Sequence, residues 1–209
     1  MYFRKDQDSQ QPIGTFENVT IKNVKAKAAD NAQLMPPSGI LITGIPGHNI
    51  KNLVLENIEI NLAGGGNKEN ARQVVPEAID KYPEVKTFGP LVPAYGIWAR
   101  HVDGLRLSNV KFTLSHNELR PAVICEYGKN IEISSCIIPE TTGAQAVIRL
   151  ENVAGAHINK TTVAGAADAF LRIEGDATHD IHVLGNKIPG IQKNIDLAAG
   201  AKTGAAVLD

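Results

Sequence analysis

Apolar and polar residues alternate in a short stretch that recurs along the chain and predicts a series of β-strands. In "GLRLSN", which begins at Gly104, Leu105 and Leu107 alternate with polar residues and Asn109 ends the stretch. A period of two is typical of a strand rather than a helix. Similar stretches are "NVTIKN" from Asn18, "NLVLEN" from Asn52, "NIEISS" from Asn130, "GAHINK" from Gly155 and "DIHVLG" from Asp180.

A second short strand is predicted before most of these copies. These strands are "GILIT", "GIWAR", "AVICE", "AVIRL" and "FLRIE". The copies that begin at 104, 130, 155 and 180 follow one another after 26, 25 and 25 residues. Strands that repeat at a fixed interval of this size are typical of a solenoid. We therefore expect an all-β fold, a right-handed parallel β-helix that forms a single domain over residues 1–209; the hand follows from the general preference of parallel crossovers.

Asparagines recur at the ends of the predicted strands, and each group has a structural explanation. Four precede a strand, where asparagine tolerates the left-handed backbone of a sharp corner; these are Asn18, Asn52, Asn130 and Asn194. Three end a strand, and we expect their side-chain amides to stack on successive coils; these are Asn23, Asn57 and Asn109.

Residues 63–94 interrupt the repeats with a stretch rich in glycine, proline and charge. The segment "NKENARQVVPEAIDKY" predicts one or two short helices around Pro76. We expect a long inserted loop, and a loop of this length in a rigid fold is more often functional than not. A cap or a packing arm is the alternative explanation.

Alternation also predicts which side chains face outward. In "GIWAR", Ile97 and Ala99 are expected inside, and Trp98 and Arg100 outside. The same phase on later coils predicts one exterior column, which consists of Arg100, Glu126, Arg149 and Glu174. Opposite charges on adjacent strands stabilise a sheet by roughly 0.2–1 kcal/mol per pair. The column is therefore a salt-bridge ladder or the charged floor of a groove.

Composition narrows the classes of partner and site. The formal net charge is −1, which gives no electrostatic reason to expect nucleic acid or an anionic membrane as the main partner. No apolar run approaches the ~20 residues that span a bilayer, and the first residues do not form a signal peptide. The two cysteines, Cys125 and Cys136, are expected to be buried free thiols. The scattered histidines predict no metal site, and no motif predicts a cofactor.

Four stretches carry a family resemblance: "PIGTFENVTIKNV", "GIPGHNIKNLVLENIEI", "YPEVKTFGPLVPAYGIWARHVDGLRLSNV" and "LRPAVI". Together they resemble the C-terminal half of bacterial polygalacturonase-like proteins, which are members of glycoside hydrolase family 28 in the pectate-lyase-like β-helix superfamily. The resemblance covers roughly residues 1–135. It implies a secreted or periplasmic protein that hydrolyses pectin-like polysaccharides containing galacturonic acid.

The catalytic motifs of that family do not carry over to this chain. The family has an Asn-Thr-Asp motif and an Asp-Asp pair, and neither occurs here. "PGHN" at Pro46–Asn49 lacks the second glycine of the family's Gly-His-Gly motif, and "TIKN" at Thr20–Asn23 lacks the arginine of its Arg-Ile-Lys motif. We therefore expect an incomplete or truncated chain that consists of the downstream coils and lacks the catalytic carboxylates.

Two functions are consistent with these observations. The first is a glycoside hydrolase of the polygalacturonase type, whose mechanism by resemblance would be inverting. The second is a non-catalytic carbohydrate-binding or assembly module. In either case an open N-terminal end of the solenoid would leave unpaired strand edges, which a second copy of the chain, the first dozen residues or the inserted loop could cover.

Five residues are the candidates for binding a polysaccharide that contains uronic acids. The aromatic residues Tyr95 and Trp98 could offer stacking faces, with Tyr82 in the loop beside them. The cations Arg100, His101 and Arg120 could pair with uronate carboxylates. The alternative roles are packing of the loop for the aromatic residues and a turn before Pro121 for Arg120.

Overall fold

The computed structural model describes residues 13–28, 36–79, 85–139 and 141–208, and this part of the chain is all-β. It contains no α-helix, only two short 3-10 helices at Asn70–Arg72 and Val85–Phe88. Tyr82 lies outside the described residues. The first eight strands are β1 (Glu17–Lys27), β2 (Ile40–Thr43), β3 (Ile50–Leu62), β4 (Ile97–Arg100), β5 (Val102–Asp103), β6 (Arg106–Leu114), β7 (Val123–Glu126) and β8 (Lys129–Ser134). The other eight are β9 (Ile137–Ile138), β10 (Thr142–Glu151), β11 (Ala154–Asn159), β12 (Thr162–Val163), β13 (Ala166–Glu174), β14 (His179–Leu184), β15 (Gly190–Leu197) and β16 (Ala206–Leu208).

The strands form two parallel sheets. The larger sheet has ten strands in the order β12-β9-β6-β3-β5-β8-β11-β14-β16, with β1 also paired to β3. The smaller sheet has six strands in the order β15-β13-β10-β7-β4-β2. Four strands of the larger sheet form a closed ring of pairings. β5 and β6 follow each other along the chain, and each of them pairs with both β3 and β8.

The sequence repeats are neighbours in the larger sheet, as the alternating pattern predicts. Ala156 pairs with both Ile131 and Ile181, which hold the equivalent positions of the repeats before and after it. Leu107 likewise lies between Leu55 and Ile133. Equivalent side chains are therefore about 4.8 Å apart on adjacent strands.

One buried cluster contains inward-facing residues of both sheets. The residues predicted to point inward all belong to it, and they are Ile97, Ala99, Val102, Leu105 and Leu107. Both cysteines lie in the same cluster as free thiols, as predicted. Burial and the nearby carboxylate of Glu126 raise the pKa of Cys125, and burial raises the pKa of Cys136 to about 11, so both thiols stay protonated at neutral pH.

The asparagines form the predicted amide stack, but they lie inside the strands and not at the strand ends where they were predicted. Asn57 donates its amide to Asn23 at 3.1 Å and accepts from Asn109 at 2.8 Å. The backbone φ is positive at three of the four asparagines predicted at corners: Asn18, Asn52 and Asn130. Asn194 was the wrong member of that group, because its φ is not positive.

The inserted stretch 63–94 contains less helix than predicted. Its described part has the two 3-10 helices and no longer helical segment. It packs across the outer face of the smaller sheet, where Val75 and Val92 join Trp98 and Ile124 in a second buried cluster. The segment thus acts as a packing arm over that sheet, and we call its described residues, 63–79 and 85–94, the arm.

β1 is an edge strand in the described part of the chain, where it pairs only with β3. Ile21 and Val24 on β1 are exposed, as expected at an open end of the core. Self-association through this end stays a prediction. The described residues contain no helix that is long and apolar enough to cross a membrane.

Replacing Leu107 by Asp is expected to unfold the chain. Leu107 is fully buried, so the variant would place a carboxylate in the core at a cost of about 4 kcal/mol or more. Leu184→Asp is the matched control, because Leu184 is 52% exposed and the change there should stay within about 0.5 kcal/mol. Thermal unfolding followed by circular dichroism measures both, and equal melting of the two variants would contradict the assigned face.

Candidate functional site

The outer face of the smaller sheet carries a column of charges that differs from the predicted one at its third member. Arg100 pairs with Glu126 as expected, but Glu126 then pairs with Glu151, and Glu151 with Glu174. Arg149 was the wrong member, because it belongs to the neighbouring column, where it pairs with Ile124 and Arg172. The shift is two residues along β10, so it changes the register without changing which side chains face outward.

Three glutamates therefore lie on adjacent strands beside three arginines, which pair with them unequally. Arg100 Nε lies 3.5 Å from Glu126 Oε2. Arg172 Nε donates to Glu174 at 2.6 Å, while Arg149 lies 3.8 Å from Glu126 and 3.9 Å from Glu174. Glu151 has no ion pair or hydrogen bond through its side chain to the described residues. Burial raises the pKa of Glu151, and the carboxylates of Glu126 and Glu174 raise it further.

Trp98 faces away from the main core, as predicted, but the arm covers it. Its side chain is fully buried, and its indole nitrogen donates to Glu126 at 3.1 Å. Phe88 of the arm packs edge-on against the indole ring with 5.6 Å between ring centroids. Arg100 stacks over the ring with its guanidinium carbon 4.5 Å from the centroid. Trp98 therefore offers no free face for a sugar to stack on.

Arg100 and His101 meet at a single carboxylate of the arm, that of Glu77. Arg100 Nη1 lies 3.2 Å from Glu77 Oε1, and His101 Nε2 lies 3.0 Å from the same oxygen. Although partial burial acts against it, these hydrogen bonds lower the pKa of Glu77. Both side chains are largely buried and contact the Glu77 carboxylate, so they hold the arm in place.

Tyr95 and Arg120 are not available to a ligand either. Tyr95 points into the core, where its ring packs against Phe112 with 5.8 Å between centroids, and burial raises the pKa of its hydroxyl. Arg120 is 1% exposed and pairs with the buried Glu118 at 2.8 Å. Its other hydrogen bonds go to the Pro36 and Pro37 carbonyls, the Ser38 hydroxyl and the Val92 carbonyl. The prediction that Arg120 pairs with a uronate is wrong, and so is the prediction that it is a simple turn residue.

An open groove lies beside these residues, where the smaller sheet passes into the larger one. We call it the turn groove; its volume is about 780 Å³, and it is lined by Gly47, Asn49, Lys51, Tyr127, Gly128, Lys129, Asn152, Ala154, Ala177 and His179. Tyr127 is its one described aromatic residue, 44% exposed, and its ring stacks on His101 with 5.2 Å between centroids. One face of the Tyr127 ring thus stacks on His101, and the other face is open to solvent.

Two lysines of the turn groove lie in one row of paired residues across the larger sheet. Lys51 pairs with Asp103, which pairs with Lys129, and Ala154 follows between Lys129 and His179. Lys51 and Lys129 are therefore about 9.6 Å apart, twice the strand spacing. Asp103 accepts a hydrogen bond from the Asn130 amide at 2.8 Å. Because Glu17 pairs with Lys51 on its other side, negative and positive side chains alternate along this part of the row.

Sequence reasoning missed these residues although a signal was present. Lys51, Lys129 and His179 each stand directly before the residue that opens a repeat, so an alignment of the repeats places them in one column. Tyr127 follows the last residue of β7, at the position that His101 and Asn152 hold in the neighbouring repeats. No group of three or more metal-binding side chains occurs within the described residues.

Comparisons of the chain with family models, with curated proteins and with solved structures found no match.

Replacing Arg120 by Ala is expected to destabilise the fold by about 3–5 kcal/mol, because it leaves the Glu118 carboxylate buried without its partner. Arg120→Lys should recover little, since an ammonium cannot replace the guanidinium fork. Arg106→Ala is the control, because its ion pair with Glu132 is exposed and is expected to contribute less than about 1 kcal/mol. Chemical denaturation measures all three, and an Arg120→Ala variant with wild-type stability would refute this role.

Replacing Glu151 by Gln is expected to stabilise the chain at pH 7 by roughly 0.2–1 kcal/mol, because it removes a carboxylate that faces two others. The folded-state pKa of Glu151 is raised, so the wild-type chain loses stability as the pH rises through that pKa, and the variant does not. The difference should close below about pH 4, where the carboxyl is protonated in both states. Glu174→Gln should instead destabilise the chain at pH 7, since it weakens the hydrogen bond from Arg172.

Proposed function

We propose that the two sheets are faces of a right-handed parallel β-helix of the polygalacturonase type. The support is that strands of both sheets pair in parallel with the strand about one repeat later, as β11 does with β14 and β10 with β13. Neighbouring repeats also share their amide stack and their positive-φ positions. The right hand is the usual one for parallel crossovers.

We propose further that the chain binds an acidic, pectin-like polysaccharide in the turn groove. The observation that carries this proposal is the exposed aromatic ring of Tyr127, which stacks on His101 and lines the same groove as Lys51 and Lys129. Pyranose rings stack on aromatic faces, and uronate carboxylates pair with ammonium groups. The two lysines stand two strands apart with Asp103 between them, so they suit separate carboxylates along one chain rather than a single small anion.

Hydrolysis of that polysaccharide is the second part of the proposal, supported by the glutamate column, in which Glu126 and Glu151 directly precede Tyr127 and Asn152 of the turn groove. Neighbouring glutamates on adjacent strands are about 4.8 Å apart at the backbone, and Glu126 and Glu174 about 9.6 Å. Retaining glycosidases use carboxyls about 5–5.5 Å apart and inverting ones about 6.5–9.5 Å. The raised pKa of Glu151 suits a proton donor. A non-catalytic binding module is the alternative, since the family's aspartate motifs are absent. The resemblance also supports a secreted or periplasmic location.

Binding to oligogalacturonides, measured by calorimetry, tests the groove. Lys51→Gln and Lys129→Gln should each weaken binding about two- to fivefold and reduce its salt dependence. Tyr127→Asn should weaken binding roughly three- to tenfold without loss of stability, because asparagine tolerates the positive φ at this position. Lys25→Gln on β1 is the control, since Lys25 is exposed and pairs with Glu59, which lies eight residues along β3 from Lys51.

Release of reducing sugar from polygalacturonate separates the two parts of the proposal. Release that is lost in Glu151→Gln, with binding retained, supports the hydrolase. Binding without release supports the module. Absence of binding by the wild-type chain at low salt would overturn the proposed function as a whole.

A further inference from the structure

A separate cavity lies on the other side of the segment that forms one wall of the turn groove. Its volume is about 340 Å³, and it is enclosed by residues 13–17, residues 43–51 and part of the arm. Small-molecule sites in proteins start at about 300 Å³, so the cavity has room for a compact group and not for a polymer chain. We call it the side cavity.

The walls of the side cavity combine large apolar side chains with polar ones, among them Lys51 and the Arg100–Glu77 ion pair. Phe16, Ile45, Ile79 and Phe88 line it, together with Ile13. Phe16 and Ile79 are half exposed although they are large apolar side chains, which is an unfavourable arrangement unless a partner covers them. The cavity therefore favours a flat apolar group such as an aromatic ring, which would bury these side chains on entry.

The side cavity and the turn groove share a wall. Gly47, Asn49 and Lys51 line both of them. A Cβ at Gly47 would meet no atom within 4 Å, so no side chain stands between the two spaces at that point. Lys51 can consequently pair with an anionic group in the turn groove while an attached apolar group occupies the side cavity.

We propose that the polysaccharide recognised by this chain carries aryl ester substituents and that the side cavity holds the aryl ring. The inference rests on the proposed function, because the turn groove has to hold the sugar backbone to which the ester is attached. The ester linkage lies at the shared wall, the uronate carboxylates pair with Lys51 and Lys129, and the ring packs between Phe16, Ile79 and Phe88. The turn groove and the side cavity would then bind one ligand, whose backbone is acidic and whose branches are apolar.

A matched pair of ligands tests the inference: an oligogalacturonide, and the same oligogalacturonide with one cinnamoyl ester. Calorimetry should show at least tenfold tighter binding of the ester. Ile79→Ser and Phe16→Ser should abolish that preference and leave the affinity for the plain oligogalacturonide unchanged. Val74→Ser is the matched control, because Val74 is an 81% exposed apolar residue of the arm that does not line the side cavity.

The single tryptophan supplies an independent readout. Trp98 contacts Phe88, which lines the side cavity, so its fluorescence should change on binding of the ester and not of the plain ligand. Equal affinity for the two ligands would overturn the inference and leave the proposed function standing. Failure of the chain to bind either ligand would overturn both, and so would binding of free cinnamate alone without any affinity for the sugar.

Discussion

Parallel backbone pairing between successive repeats is the constraint on which the rest of the structure depends. Because Ala156 hydrogen-bonds in register with the repeats on both sides, the direction of its side chain fixes that of Ile131 and Ile181. The inner and outer faces of each repeat therefore match those of its neighbours. The same register aligns outward-facing side chains into columns. Glu126, Glu151 and Glu174 therefore become neighbours although they are far apart in the sequence.

The strands and the inner faces could be predicted from the sequence because both depend on local properties. Alternation identifies a strand and its two faces, and asparagine marks positions of positive φ, as at Asn52 and Asn130. The register of β10 could not be predicted in the same way. A shift of two residues preserves alternation, so the alternating phase alone favoured Arg149 as the neighbour of Glu126, whereas Glu151 occupies that place.

The exposure of the candidate site was the least predictable property, since it depends on contacts between distant segments. Trp98 and Arg100 point away from the core as alternation requires, but the arm returns to cover them. Nothing in the periodicity of residues 63–94 indicates where that segment packs. The burial of Arg120 was even harder to predict. Its hydrogen-bond partners come from residues 36–38, from Val92 and from Glu118, and no local pattern in the sequence brings these residues together.

The backbone at the edge of the turn groove offers an argument for function that does not depend on the family resemblance. His101, Tyr127 and Asn152 occupy one position of successive repeats, each with φ near 50°. Asparagine adopts this conformation readily, whereas a bulky residue there costs of order 1–3 kcal/mol. Tyr127 carries that cost and is also 44% exposed, so burial of its ring does not offset it. Stability alone would favour asparagine here, and the proposed stacking of a sugar on the Tyr127 ring would offset that cost, which links the backbone at this position to the proposal.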